Sequence, residues 1–171
     1  MNISLRPWTP DDAELYAQIM RQVDFTYEDE SVRCANGDEA LQRLRRQIQC
    51  EHSDGDFYRA ITVDGDVVGH IQIVHQQGEP HSIGHVGCLL VRRATGHGVG
   101  TEALRQTIRA AFARPAFERL TAIIFGPNRA SQRIVEKAGF ILETTIHHAV
   151  WKKGHFYDAL VYYLTNPQPT D

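Results

Sequence analysis

"SIGHVGCLLVRRATGHGVGTEAL", residues Ser82 to Leu104, runs from an apolar segment into three alternate glycines and then directly into helix-forming residues. The segment up to Val91 has the length and branched apolar content of a strand. From about Gly98 the pattern changes to helical spacing, with Leu104, Ile108, Ala111 and Phe112 on one stripe. Gly96, Gly98 and Gly100 lie at the junction. The first backbone N–H groups of a helix have no intrahelical partner, and the macrodipole adds partial positive charge there. Glycines let an anion approach those amides closely, so the stretch predicts a phosphate-binding turn.

Spelling separates this turn from two nucleotide loops. A Walker loop needs G-x-x-x-x-G-K-[ST], and the chain has no Gly-Lys-Ser/Thr. A dinucleotide fingerprint needs G-x-G-x-x-G inside a βαβ unit, whereas this stretch reads Gly96-x-Gly98-x-Gly100 after three successive strands. A phosphate- or nucleotide-binding module built on the glycine turn alone stays open on spelling.

Upstream, "DFYRAITV" (Asp56–Val63) and "DVVGHIQIVH" (Asp66–His75) read as strands joined by an Asp64-Gly65 hairpin turn. Ile3 to Arg6 reads as a first strand. Thr9 then caps a helix with Pro10 at its first position, burying Ala13, Tyr16, Met20 and Val23. A second helix fits Ala40 to Ile48, with Leu41, Leu44 and Ile48 on its apolar stripe.

Downstream, "RLTAIIF" (Arg119–Phe125) is a strand, followed by a short helix from Asn128 to Ala138 that ends at Gly139. Strands over Phe140–His147 and His155–Leu164 complete the chain, and the tail 166–171 is expected to fray. Trp151, Phe156, Tyr157, Tyr162 and Tyr163 are expected mostly in the core. The order is β-α-α-β-β-β-α-β-α-β-β. Three consecutive strands exclude a purely alternating doubly wound fold, and an α/β (α+β) mixed sheet with helices on its faces follows.

The 171 residues suit one domain, 1–171, with a single core. A net charge of −3 argues against nucleic acid as a partner. Cys34, Cys50 and Cys88 are far apart and form no C-x-x-C, so neither a disulfide framework nor a metal site is expected. The N-terminus lacks a signal pattern and no apolar run reaches membrane-spanning length, which points to the cytoplasm. Between the first two helices, Asp24, Glu28, Asp29, Glu30, Asp38 and Glu39 face only Arg33. This segment reads as a solvated acidic loop or as a guide for a cationic substrate.

With these residues in view, the chain resembles the GNAT acyl-CoA-dependent N-acetyltransferases. Their cofactor loop is spelled [QR]-x-x-G-x-[GA] between a strand and a helix. Arg93 to Gly98 fits the letters; "GHGVGTEAL" aligns better with the family's "GKGIGTEAL", placing Gly98 and Gly100 at the motif glycines and Thr95 where Gln or Arg is usual. "FGPNRASQRIVEKAGF" (Phe125–Phe140) matches a second family segment, and "EKAGFILETTIHHAVWKKGHFYDALVYYL" is similar to the RimJ/RimL-like branch. The resemblance covers roughly Gly84 to Leu164, with the acyl-CoA-binding core at about 84–140, and implies a mostly antiparallel central sheet.

It also implies acetyl-CoA as cosubstrate, with no metal, and direct acetyl transfer to a primary amine: a small amine, an aminoglycoside-like compound or a peptide N-terminus. Thr95, Gly96, His97, Gly98, Val99, Gly100 and Thr101 would hold the pyrophosphate. Cys88, Leu89, Leu90 and Val91 would pair with the pantetheine as an added strand, while Asn128 positions it. At about 100° per residue, Asn128, Ser131 and Val135 share one helix face. Many relatives have a tyrosine near Val135 to protonate the departing thiolate; with valine there, Ser131 is the substitute donor. His85, His147, His148 and Glu143 are candidates for accepting the amine's proton. Members acting on ribosomal proteins carry a carboxylate where Val150 stands. The missing tyrosine and carboxylate keep a non-catalytic acyl-CoA sensor open as an alternative, and the family admits a homodimer.

Overall fold

The computed structural model describes residues 1–26, 33–53, 55–75, 82–114 and 117–167. Its elements are β1 Ile3–Pro7, α1 Ala13–Gln22, α2 Gly37–Ser53, β2 Phe57–Val63, β3 Asp66–His75, β4 Ile83–Leu90, α3 Val99–Phe112, β5 Arg119–Phe125, α4 Arg129–Lys137, β6 Ile141–Lys152 and β7 His155–Thr165. The order is the one the sequence predicts. One seven-stranded sheet runs β1-β2-β3-β4-β5-β7-β6. All neighbours are antiparallel except β4 and β5. No helix among the described residues is long and apolar enough to cross a membrane.

The Asp64-Gly65 turn has both residues in the left-handed region (φ 52° and 95°), which suits the twist of a two-residue hairpin. At the start of α1, the Arg6 guanidinium forks onto both oxygens of Asp12 at 2.8 Å, holding that carboxyl down at about 2. Asp12 also accepts from the Thr9 N–H at 2.9 Å, as a residue closing the first turn should.

Helices α1 and α2 pack together on β2 and β3, whereas α3 packs on β1 to β4 and on α4. The strand alternation separates their faces. His70, opposite Leu89, meets Tyr16 of α1, while the next pair, Gly69 and Leu90, lies on the side where Leu90 approaches Gly100 of α3. Helix α1 buries Tyr16, Ala17, Ile19 and Met20, so its apolar stripe is as expected apart from a half-buried Ala13. Val23 is buried too, but outside the helix, where it bridges Val91.

Two packing expectations need correction. The helix α2 runs from Gly37 to Ser53 and turns Ala40, Leu44 and Gln47 inward, at spacings of four and three, so Leu41 and Ile48 flank the buried stripe and are only half-buried. Of the C-terminal aromatics only Tyr162 is buried; Trp151 and Phe156 are 62% and 58% exposed. They stack edge to face at 4.7 Å at the end of the β6–β7 hairpin, away from the core.

β6 is also longer than predicted. Its register with β7 breaks between Ile146 and Val150, where His148 adopts φ 52°. Asp158 holds this bulge by accepting from the His148 N–H and pairing with His147 Nδ1, both at 3.0 Å. The sequence signal stopped at the bulge, where pairing resumes in a new register. The tail begins tied down, Asn166 N–H donating to Glu118 at 2.8 Å; its last four residues, 168–171, lie outside the described ones.

Under α1, the Trp8 indole N–H donates to His70 Nδ1 at 2.9 Å, and His70 is 3% exposed. Burial lowers its pKa to about 4, against about 6.5 when unfolded. The unfolded chain therefore takes up the proton first. His70's contribution is complete above pH 6.5 and is lost as pH falls through 4, a change on the order of 3 kcal/mol. Urea unfolding of the wild type is expected to show this decline between pH 7 and 4; His70→Phe starts lower at pH 7 and shows a shallower decline.

Candidate functional site

β4 and β5 pair only through Ile83–Arg119, Gly84–Leu120 and His85–Thr121. β4 then remains on β3 as far as Leu90–Gly69, so Val86 to Leu90 lose β5 as a neighbour. Gly84, in the middle pair, is bare because a Cβ there would lie 2.5 Å from Ile73 of β3 and 2.7 Å from Phe117. Because the two strands are parallel, their carboxyl ends leave the sheet in the same direction. α3 follows one and α4 the other, which creates a crevice at the carboxyl ends of diverging strands with two helix N-termini beside it.

Cys88, Leu89 and Leu90 lie within the diverging stretch. Val91 does not fit the expected role of an added-strand partner. Its N–H donates to Val68 at 2.9 Å and it bridges Val23, so its backbone is already engaged.

The junction itself begins with a single tight turn, Arg92–Ala94. The Thr95 hydroxyl donates back to the Arg92 carbonyl at 2.8 Å. Gly96 and Gly98 adopt φ 82° and 81°, where a Cβ would be strained, and both have open space around them. The first helical bond of α3 runs from Glu102 to Gly98 at 3.0 Å, leaving the N–H groups of Val99, Gly100 and Thr101 at the open first turn. The helix starts where the register with Gly98 and Gly100 requires. Gly100 is bare for a different reason: a Cβ would meet Ile134 of α4 at 2.8 Å and Leu90 at 3.3 Å. Its smallness lets the start of α3 pack against Ile134 in the second half of α4. His97 is exposed on the turn.

On α4, Asn128 Oδ1 accepts from the Ser131 N–H at 3.1 Å and so caps the helix. Gln132 secures the preceding turn by donating to Gly126 at 2.6 Å. Ser131 is half-buried, and Val135, one turn further on, is buried in the core.

The candidate bases occupy different places. His85 Nδ1 lies 2.6 Å from Thr121 Oγ1, whose hydroxyl points to the Gly84 carbonyl at 3.3 Å. With the threonine proton directed there, Nδ1 donates to Thr121 and the imidazole lone pair lies on Nε2. His85 thus sits at the last β4–β5 pair, where the gap opens. Glu143 pairs with Arg119, and His147 with Asp158; both are on β6, separated from β5 by β7. His148 supplies its backbone to the bulge.

In the acidic segment, Glu28, Asp29 and Glu30 lie outside the described residues. Asp24 is occupied: hydrogen bonds from the Thr26 hydroxyl and from Arg92 at 2.9 Å hold its carboxyl below the usual carboxylate range. A cavity of about 320 Å³ lies here, lined by Asp24, Phe25, Arg33, Arg92 and Lys153. The β6–β7 hairpin reaches it through Lys152, which donates to the Phe25 carbonyl at 2.7 Å.

Sequence reasoning passed over Trp8, His70 and Gln72, which lie in line on the α1 face beside β4. The signal was present in "GHIQI": two polar residues one apart in a strand otherwise apolar, hence on one face.

Comparison with known proteins adds three kinds of likeness. A family model described as an acetyltransferase (GNAT) domain matches residues 2–141. The SPbeta prophage-derived uncharacterized N-acetyltransferase YokL of Bacillus subtilis is 24% identical over 173 residues, covering 98% of this chain and 92% of that protein. Among solved structures, the ribosomal-protein-S5-alanine acetyltransferase of Vibrio fischeri superposes with TM-score 0.87 at 19% identity, over 100% of this chain and 97% of the other. RimL, a ribosomal L7/L12 alpha-N-protein acetyltransferase solved with coenzyme A, gives 0.86 at 16% identity, over 96% and 94%.

The Asn128 cap is separable from any ligand role. Asn128→Ala is expected to lose about 1 kcal/mol in chemical denaturation, while Asn128→Asp, an equally good cap, stays within a few tenths.

Proposed function

The chain belongs to the GNAT acetyltransferase family, and from that premise we propose how its own residues carry acetyl from acetyl-CoA to a primary amine. The observation that carries the reading is the parting of β4 from β5 with a helix N-terminus at the end of each strand.

The open amides of Val99, Gly100 and Thr101, together with Gly96, His97 and Gly98, suit the cofactor's pyrophosphate. Residues Cys88 to Leu90 have no β5 neighbour. By alternation with the Val91–Val68 bond, Leu89 turns its backbone to β3, while Cys88 and Leu90 turn theirs to the open side. These two suit the pantetheine amides, which would extend the sheet as another strand does. Thr95 takes part through its backbone, since its hydroxyl is turned onto Arg92. Asn128 and Ser131, at the start of the helix that follows β5, are the residues that would meet the cofactor from α4.

Acetyl-CoA supplies an activated acyl carbon with a thiolate leaving group. The amine nitrogen forms its bond to that carbon as the carbon–sulfur bond breaks. An alkylammonium near pKa 10 must first lose a proton at neutral pH. His85 is our choice as acceptor of that proton, through Nε2, with Thr121 fixing the tautomer. Ser131 is our choice as donor to the thiolate, since valine stands at position 135 and the Tyr162 hydroxyl beside that helix is already donated to Glu136 at 2.9 Å. The acceptor is a primary amine. RimL, named as an alpha-N-protein acetyltransferase, supports a peptide N-terminus within that class. We infer a cytoplasmic setting from three widely spaced cysteines with no C-x-x-C pair. The uncovered face of β5, β7 and β6, with Ile123, Ile141 and Ile146 exposed, supports a homodimer.

Thiol release from acetyl-CoA with a panel of amines tests the reading, and cofactor binding without release under every amine is the result expected of a sensor instead. Gly98→Glu puts a side chain and a negative charge into the glycine turn at a left-handed position, and is expected to abolish acetyl-CoA binding in calorimetry. Ser131→Ala is expected to lower kcat by at least tenfold while leaving the KM for acetyl-CoA within about threefold.

A further inference from the structure

The face of β3 toward α1 carries a polar line that the steps above leave unused. An indole only donates, so the Trp8–His70 bond makes His70 Nδ1 an acceptor. Neutral imidazole then carries its proton on Nε2, which lies 3.1 Å from Gln72 Oε1, and that oxygen accepts. Tyr16 and Tyr58 flank the ring at 5.6 and 6.3 Å, and burial keeps it uncharged at neutral pH. With its oxygen held, the Gln72 amide has one orientation.

Its nitrogen lies over β4. Gln72 pairs in register with Gly87, the second residue after β5 departs, and a side chain on Gly87 would begin 3.4 Å from Gln72 Nε2. Gln72 is half-buried, and among the described residues no group accepts from that nitrogen. His85, Gly87 and Leu89 share this face by alternation, while α3 and α4 occupy the opposite one. An amine therefore reaches the gap from the side of Gln72 and His85.

We propose that Gln72 Nε2–H is a recognition donor for the amine substrate, locked by Trp8 and His70 as positioning residues, and that it selects an amine bearing an adjacent carbonyl oxygen. The inference rests on the acyl-transfer reading and adds a residue that chooses the acceptor. A donor in this place meets an oxygen on an amino-acid amide or a peptide N-terminus. It meets nothing on a plain alkylamine.

The test compares an amino-acid amide with the alkylamine of the same length, using thiol release for KM and kcat and calorimetry for acetyl-CoA. The wild type is expected to have the lower KM for the amide. Gln72→Leu is expected to raise that KM about three- to tenfold, the loss of one neutral hydrogen bond. The alkylamine KM and the acetyl-CoA Kd stay within twofold. Gln72→Glu keeps the oxygen that His70 bonds and replaces the donor by an acceptor, so its amide KM rises at least as far. Gly87→Ala, which crowds the amide, moves the same KM in the same direction. If Gln72→Leu loses acetyl-CoA binding, Gly87→Ala decides.

A wild type without preference, or variants that change both acceptors equally or neither, overturns the inference while acyl transfer stands. A wild type that releases no thiol with any amine overturns the acyl-transfer reading and this inference with it.

Discussion

The parting of two parallel strands after three residue pairs is the constraint on which the rest of this molecule depends. Elsewhere in the sheet, neighbouring strands stay paired along most of their length, interrupted only by local register shifts between β2 and β3 and between β6 and β7. At β4 it stops on one edge only, so an edge of N–H and C=O groups opens in the middle of a sheet rather than at its rim. Parallel direction then brings the starts of α3 and α4 to the same end of the opening. No antiparallel pair would do this, because its two following helices would begin at opposite ends.

Much of this was legible. The element order followed from changes of period, and the glycine turn from its spelling. What escaped was set by contacts remote in sequence. β6 runs past its expected end because Asp158, on the neighbouring strand, holds a bulge at His147 and His148. In α2, Gln47 joins Ala40 and Leu44 in the buried stripe, and Leu41 and Ile48 flank it. Val91 reads as the last residue of a strand, and nothing local shows that Val68 and Val23 take up its backbone. Trp151 and Phe156 look like core by residue type, and only topology shows that their hairpin extends beyond the packed layers.

The glycine turn shows how one motif serves two physical ends. Gly96 and Gly98 are there for backbone angle, and Gly100 for proximity of α3 to α4. A pattern of letters merges these causes, and the structure separates them. The same holds for Asn128, whose cap on α4 gives it a structural duty whatever else it touches. His70 is the opposite case: a residue type suggestive of chemistry, buried and locked so that it transmits orientation without exchanging a proton at neutral pH.

The Val23–Val91 bridge and the Asp24–Arg92 pair fasten the segment after α1 to the two residues from which the glycine turn departs. Displacement of one segment is therefore resisted by the other, across a distance of one side chain. Such a joint ties the backbone at the start of the turn to a wall of the neighbouring cavity. The ionic half of the joint lies on the surface and weakens with salt while the backbone bridge does not, so rising ionic strength loosens Arg92 before Val91.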